Sequence, residues 1–315
     1  MRILPSFVLK KPSSPDSIPI TCPFLSAIFS GKTKPLCQPP SHPAYLHSKY
    51  DTIFTDSNKA SMLLVIDLGN TNLTLGLYEG EQLRLHWRLA TDEARMPDEY
   101  GIQIHSMLEH GGCQPHELSG ICLSSVVPPL TERIVQACQT YLERDPLVVD
   151  CTLNLGIRIG YDDPRAIGSD RLADAAATWK THGGPACIID YGTATTFNAL
   201  TRDGVYLGGA IAAGVGVALD ALVLRAARLS PVELKTPPAA IGRNTTHAIQ
   251  SGMLYGYAAL TEGMVQRFRQ ELGADTKVIA TGGLVSLIAP LTKVIDITAP
   301  WLTLDGLRII WEMNQ

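Results

Sequence analysis

The chain has 315 residues, 45% hydrophobic and 18% charged, enough to bury a sizeable core in one large domain or two ordinary ones. Its net charge of -4, with no basic stripe interleaved with aromatics, argues against a nucleic-acid partner. No apolar run reaches the roughly 18 residues of a membrane-crossing helix, so no membrane partner is expected.

The seven cysteines (Cys22, Cys37, Cys113, Cys122, Cys138, Cys151, Cys187) are scattered, and none forms a C-x-x-C pair. Reduced thiols in a cytoplasmic protein fit this usage better than a disulfide framework or a zinc site. The eight histidines show no metal-ligand spacing either, and no Gly-x-Ser-x-Gly elbow suggests a hydrolase.

Residues 1–61 differ from the rest. They hold three acids (Asp16, Asp51, Asp56) against seven bases, which leaves the segment at +4 and the remainder at -8. Few periodic apolar positions are available there to offset ordering entropy, so a disordered extension is expected. An upstream start codon and an organelle-targeting peptide are the alternatives. Ser30-Gly31-Lys32-Thr33 ends like a phosphate loop, but the first glycine of such a loop is missing. No clear strand precedes it, and Pro35 stands where a helix should run, so the match is rejected.

From Met62 the pattern becomes regular. Met62–Asp67, Leu73–Tyr78 and Gln82–Leu89 read as consecutive strands, with Glu79-Gly80 turning between the last two. Pro97 suits the first position of a helix over Asp98–Leu108. A strand near Gly120–Ser124, a helix over Pro129–Leu142 and a strand over Leu147–Asp150 follow. After a helix at Ser169–Lys180 comes a second series of strands, Ala186–Asp190, Thr195–Thr201 and Val205–Leu207, with Asp203-Gly204 as the turn. Helices are expected at Val217–Ala227, Thr246–Leu272 and Leu304–Glu312, and the strand Lys277–Ala280 leads into Thr281-Gly282-Gly283. Strand runs followed by helix runs, given twice, predict an α/β protein with two related halves.

The repetition extends to individual residues. Val65-Ile66-Asp67-Leu68-Gly69-Asn70-Thr71-Asn72 corresponds to Ile188-Ile189-Asp190-Tyr191-Gly192-Thr193-Ala194-Thr195. In each copy an apolar strand ends at Asp, followed by Gly and a Thr/Asn cluster. Glycine lets backbone approach a ligand, the amides and hydroxyls after it donate to phosphate oxygens, and the Asp can orient a hydrated Mg²⁺. Two such turns facing each other would grip a triphosphate from both sides. Asp170, beside Arg171 at the start of an amphipathic helix, sits where an anion is favoured and where a carboxylate could take a hydroxyl proton. Read from the residues alone, the same features also fit two ordinary hairpins and a helix-capping Asp with a solvated Arg.

Those two turns, with Gly168-Ser169-Asp170-Arg171 between them, resemble the type III pantothenate kinases of the actin-like, sugar-kinase and acetate-kinase superfamily. Gly208-Gly209-Ala210-Ile211, Ile241-Gly242-Arg243-Asn244-Thr245, Gln250-Ser251-Gly252 and Thr281-Gly282-Gly283 continue the family's order, and the match covers Met62 to the C-terminus. The resemblance implies a duplicated ribonuclease-H-like (actin-like ATPase) fold, with lobes at 62–181 and 182–315, each a mixed β-sheet flanked by helices. It implies ATP, with Mg²⁺, at Asp67, Leu68, Gly69, Asn70, Thr71, Asn72, Leu73, Thr74 and Thr193, and adenosine against Thr281-Gly282-Gly283. Many members carry lysine at the position of Thr74, so this chain has one fixed positive charge fewer there. By the same resemblance Asp170 is the general base towards the primary hydroxyl of pantothenate, yielding 4'-phosphopantothenate, the first step of coenzyme A biosynthesis. Tyr161, Gly168, Ser169, Asp170, Arg171 and Thr245 would hold pantothenate, and the enzyme would be a homodimer. Asp190 corresponds to the ligand of a monovalent cation, K⁺ or NH₄⁺, although its oxygen-rich surroundings suit Mg²⁺ equally. A superfamily kinase for another small alcohol and a non-enzymatic regulatory relative are the alternatives. The intact Asp67, Asp170 and Asp190 weigh against the regulator.

Overall fold

The computed structural model describes residues 62–315, and the expectations for residues 1–61, the rejected phosphate loop included, lie outside the described residues. The first strands are β1 (Met62–Leu68), β2 (Asn72–Glu79) and β3 (Gln82–Ala90), an antiparallel meander. Helix α1 (Pro97–His110) opens on the proline the sequence marks. Its first turn carries Asp98 and Glu99, whose charges suit the helix N-terminus. The Glu99 carboxylate also accepts from the Met96 amide at 2.9 Å, satisfying a donor the helix leaves free. Next come β4 (Leu118–Ser125), α2 (Pro128–Leu142) and β5 (Leu147–Val148). The sheet runs β3-β2-β1-β4-β5, with β4 parallel to β1 and β5 parallel to β4.

The remaining elements are β6 (Arg158–Ile159), α3 (Ser169–His182), β7 (Ala186–Tyr191), β8 (Ala194–Leu200), β9 (Val205–Ala213), α4 (Val215–Arg225), α5 (Thr245–Leu272), β10 (Lys277–Thr281), α6 (Val285–Ile288), β11 (Ile297–Thr298) and α7 (Leu302–Met313). The second sheet is ordered β11-β10-β7-β8-β9-β6. Without β6, which joins the far edge beside β9, this is the first sheet's order again, with the same antiparallel hairpins and parallel crossovers. The chain is therefore a duplicated ribonuclease-H-like α/β fold.

Period-two alternation along the central strands divides the interior. Leu63 and Val65 of β1 share one core with Ala186 and Ile188 of β7, together with Leu172 and Ala175 of α3 and Leu304 and Leu307 of α7. Leu64, Ile66 and Leu68 face instead a core formed with α1 and α2. Cys187, Ile189 and Tyr191 face a third core, which α5 and α6 help to build. Helices α3 and α7 thus lie in the layer both sheets share, and a methyl group at Gly306 of α7 would collide with the Ala173 backbone of α3.

Strand β9 runs through Gly208-Gly209 to Ala213, well beyond the expected Leu207. The glycines hide the strand pattern for a packing reason. Gly208 has φ +110 and lies against the Tyr161 ring, while Gly209 abuts the Phe197 carbonyl of β8. The two-residue strands β6 and β11 and the short α6 carry too little periodicity to be read from sequence. All five described cysteines are free thiols, four of them buried as small apolar side chains. No helix among the described residues is long and apolar enough to cross a membrane.

Candidate active site

The two Asp-x-Gly turns are built alike. In the first, the Gly69 amide donates to the Asn72 carbonyl at 2.9 Å, and in the second the Gly192 amide donates to the Ala194 carbonyl at 3.0 Å. The residue following the third strand of each half then braces its turn. Thr91 donates its amide to the Thr71 carbonyl at 3.0 Å, and Gly214 does the same for the Thr193 carbonyl at 3.0 Å. By strand register the first turn has four residues, 69–72, and the second three, 192–194. The turns meet. The Thr71 and Thr193 hydroxyls hydrogen-bond at 2.8 Å, 122 residues apart in sequence.

Around that contact lies a cavity of about 500 Å³ lined by both turns, by Asp67, Asp170 and Asp190, and by the turn after β10. Gly282 in that turn has φ +93, and any side chain there would collide with Asp190 Oδ1 and the Tyr191 backbone. Burial, then the charges of Asp170 and Asp190, raise the Asp67 carboxyl from 3.8 to about 7, against a lowering hydrogen bond from Ser124. Burial and Asp170 likewise raise Asp190 to about 7. Burial also raises Asp170, and the Arg171 amide and guanidinium oppose it. Asp170 Oδ1 accepts that amide at 2.7 Å, folding back over the space that a side chain at Gly168 would fill.

Ser169 fixes where Asp170 points. Its buried hydroxyl bonds the Ser124 hydroxyl at 2.9 Å, accepts from the Ser125 amide at 2.9 Å and donates to the Ser125 carbonyl at 3.1 Å. The start of α3 is thereby pinned to the end of β4. Leu68 and Leu73, expected at the nucleotide, are buried in the core behind the first turn, whereas Thr74 lines the cavity. Arg171 is buried beside the cavity, its Nε donating to Asn198 Oδ1 at 2.7 Å and its guanidinium 5.7 Å from the Tyr206 ring centre. Tyr161 lies 6.4 Å from the same ring, so Arg171, Tyr206 and Tyr161 form one group. Thr245 is elsewhere: it lines a second cavity of about 480 Å³ at the start of α5, with Arg243, Asn244 and Leu222.

Several cavity residues escape sequence reasoning. Arg88, Asp220, Trp301 and Thr303 all line the cleft. Asp174 lies beneath it, fully buried, accepting from the Thr303 hydroxyl at 2.8 Å. Burial first, then the charge of Asp190, raises Asp174 well above the usual carboxylate range. Its spacing of four from Asp170, which puts both on one helical face, was a usable signal. The donor set of carboxylates and hydroxyls suits a hard cation. No trio of metal-ligating side chains occurs among the described residues, so an ion here would take one or two carboxylates together with phosphate oxygens.

A family model described as type III pantothenate kinase matches residues 63–267, more than half of the chain. The "Type III pantothenate kinase" of Roseiflexus sp. (strain RS-1) is 48% identical over 254 residues, covering 81% of this chain and all of that protein. That of Moorella thermoacetica (strain ATCC 39073 / JCM 9320) is 45% identical over 253 residues, covering 80% of this chain and all of its own length. Among solved structures, a conserved putative Baf family transcriptional activator from Campylobacter jejuni superposes with a TM-score of 0.51 at 18% identity. It covers 80% of this chain and 98% of its own, a likeness of fold alone.

Proposed function

The chain belongs to the type III pantothenate kinase family and phosphorylates pantothenate with ATP, the first step of coenzyme A biosynthesis; on that premise we propose how the cleft divides the work. The observation that carries the reading is the direct contact of the two turns, Thr71 to Thr193, above Asp67, Asp190 and Asp170 in one cavity.

The amides and side chains of Asn70, Thr71, Asn72 and Thr193 bind the phosphates from both sides, Gly69 letting the backbone come close, with Thr74 at the rim. Asp67 and Asp190 would hold the cations that accompany the phosphates, Asp190 a monovalent one such as K⁺ or NH₄⁺. When bound, a divalent ion neutralises charge on the transferring phosphoryl group. Asp170 is the general base: its carboxylate takes the proton of the primary hydroxyl as that oxygen attacks the γ-phosphate, giving 4'-phosphopantothenate and ADP. Burial supports this role, because a carboxylate raised from 3.8 is a better base than an exposed one. Arg171, with Tyr161 and Tyr206, binds the pantothenate carboxylate and chain. Free thiols in all described cysteines support a cytoplasmic location.

Asp170→Asn keeps the shape of the side chain and removes the base. Turnover in a coupled assay with pantothenate should fall by about 10²- to 10⁴-fold while ATP binding persists. A variant that turns over at the wild-type rate would remove Asp170 from this role. Replacing K⁺ by Na⁺ in the same assay tests the monovalent site, and equal rates in both would sink it.

A further inference from the structure

Four carboxylates, Asp67, Asp170, Asp190 and Asp220, line the cleft, and Arg88 is the one cation among its described lining residues. An anionic phosphate tail entering such a cleft needs positive charge, and a partly desolvated site magnifies the need. Arg88 stands on β3, the edge strand of the first sheet, directly opposite Thr74, which is itself paired with Asp67. The row Asp67, Thr74, Arg88 therefore crosses the sheet towards the rim of the cleft on one face.

From that rim the guanidinium reaches towards the other half. Its Nη1 lies 4.0 Å from where a methyl group on Gly283 would sit, in the turn after β10. The preceding side chain on this face of β3 is engaged, His86 stacking on Trp301 with ring centres 4.1 Å apart. Arg88 has no hydrogen bond or ion pair among the described residues. It is a free, planar fork of donors in the wall of the cleft.

We propose that Arg88 is a nucleotide-binding residue, its guanidinium taking the phosphate tail of ATP and supplying the cleft with its fixed positive charge. This inference rests on the kinase reading and adds to it a residue outside both turns. Thr74 lacks such a charge, and its register opposite Arg88 means that one cation at either position serves the same space.

The test is direct calorimetry on the full chain with ATP and with adenosine, run without pantothenate, beside steady-state kinetics. Arg88→Gln should weaken ATP binding by about 10- to 100-fold and leave adenosine unchanged. The KM for ATP should rise while the KM for pantothenate stays put. Adding Thr74→Lys to that variant should recover most of the loss. Wild-type affinity for ATP in Arg88→Gln, an equal loss for adenosine, or a double variant no tighter than the single one would each overturn the assignment. A wild-type chain that binds ATP yet makes no phosphopantothenate would instead defeat the acceptor reading, leaving Arg88 to be judged by the calorimetry. A wild-type chain that binds no ATP would remove both.

Discussion

Asp67 and Asp190 hold their protons to about pH 7, whereas unfolded carboxyls release theirs near 3.8. Between those values the folded chain binds more protons than the unfolded one, so stability falls as pH rises. The contribution is complete below about pH 4 and gone once pH passes about 7. Thermal melts of the ligand-free protein in chelator should therefore give a higher Tm at pH 5 than at pH 8. Asp67→Asn should flatten that difference, and an unchanged pH slope would show that the strain lies elsewhere. Both carboxylates could be found in the sequence because each ends an apolar strand before a glycine turn and the pattern occurs twice. Arg88 could not, because its importance comes from cross-strand register with Thr74 and from the turn at Gly283 in the other half, neither of which is local. Ser169 was anticipated at the substrate, yet its hydroxyl is spent on Ser124 and Ser125, a long-range use that no spacing reveals.

Helix α7 shows the same division one level up. Its amphipathic pattern marked a helix over Leu304–Glu312, close to the observed Leu302–Met313, but gave no hint of what it covers. It packs across the first sheet, with Leu304 against Gly76 of β2 and Trp311 over Gly120 of β4. Asp305 accepts from the buried Tyr78 hydroxyl at 2.6 Å, and Thr303 donates to Asp174 at 2.8 Å. The last helix of the chain thus ties β2 and α3 together beside the cleft. Thr303→Val keeps the side-chain shape but takes away the hydroxyl that donates to a fully buried carboxyl. A destabilisation of about 1–3 kcal/mol by denaturant unfolding is expected. A variant as stable as wild type would mean Asp174 finds another donor. The glycines of β9 make the complementary point, since residues that weaken a strand pattern can mark where other groups pack closest.

Duplication makes the molecule a pair of similar sheets whose equivalent hairpins converge, and its outer surface is not evenly polar. Six of the nine large apolar side chains exposed among the described residues lie between Leu207 and Ile241, among them Leu224 at 83% and Ile241 at 84%. Large exposed apolar side chains concentrated in one stretch suit burial against another protein. The homodimer expected from the sequence resemblance would use this stretch, β9, α4 and the segment leading to α5. The cavity containing Thr245 is bordered by Leu222 of the same stretch, so a dimer would cover it. A charge placed in such an interface meets its own symmetry mate, and burying like charges opposes association. Leu224→Glu with Ile241→Glu should therefore convert a dimer of about twice the 34.0 kDa chain into a monomer by light scattering on a sizing column. The folded far-UV signal should be unchanged, because both side chains are exposed in the single chain. A wild-type chain that elutes as a monomer, or a double variant that stays dimeric, would place the interface elsewhere or remove it.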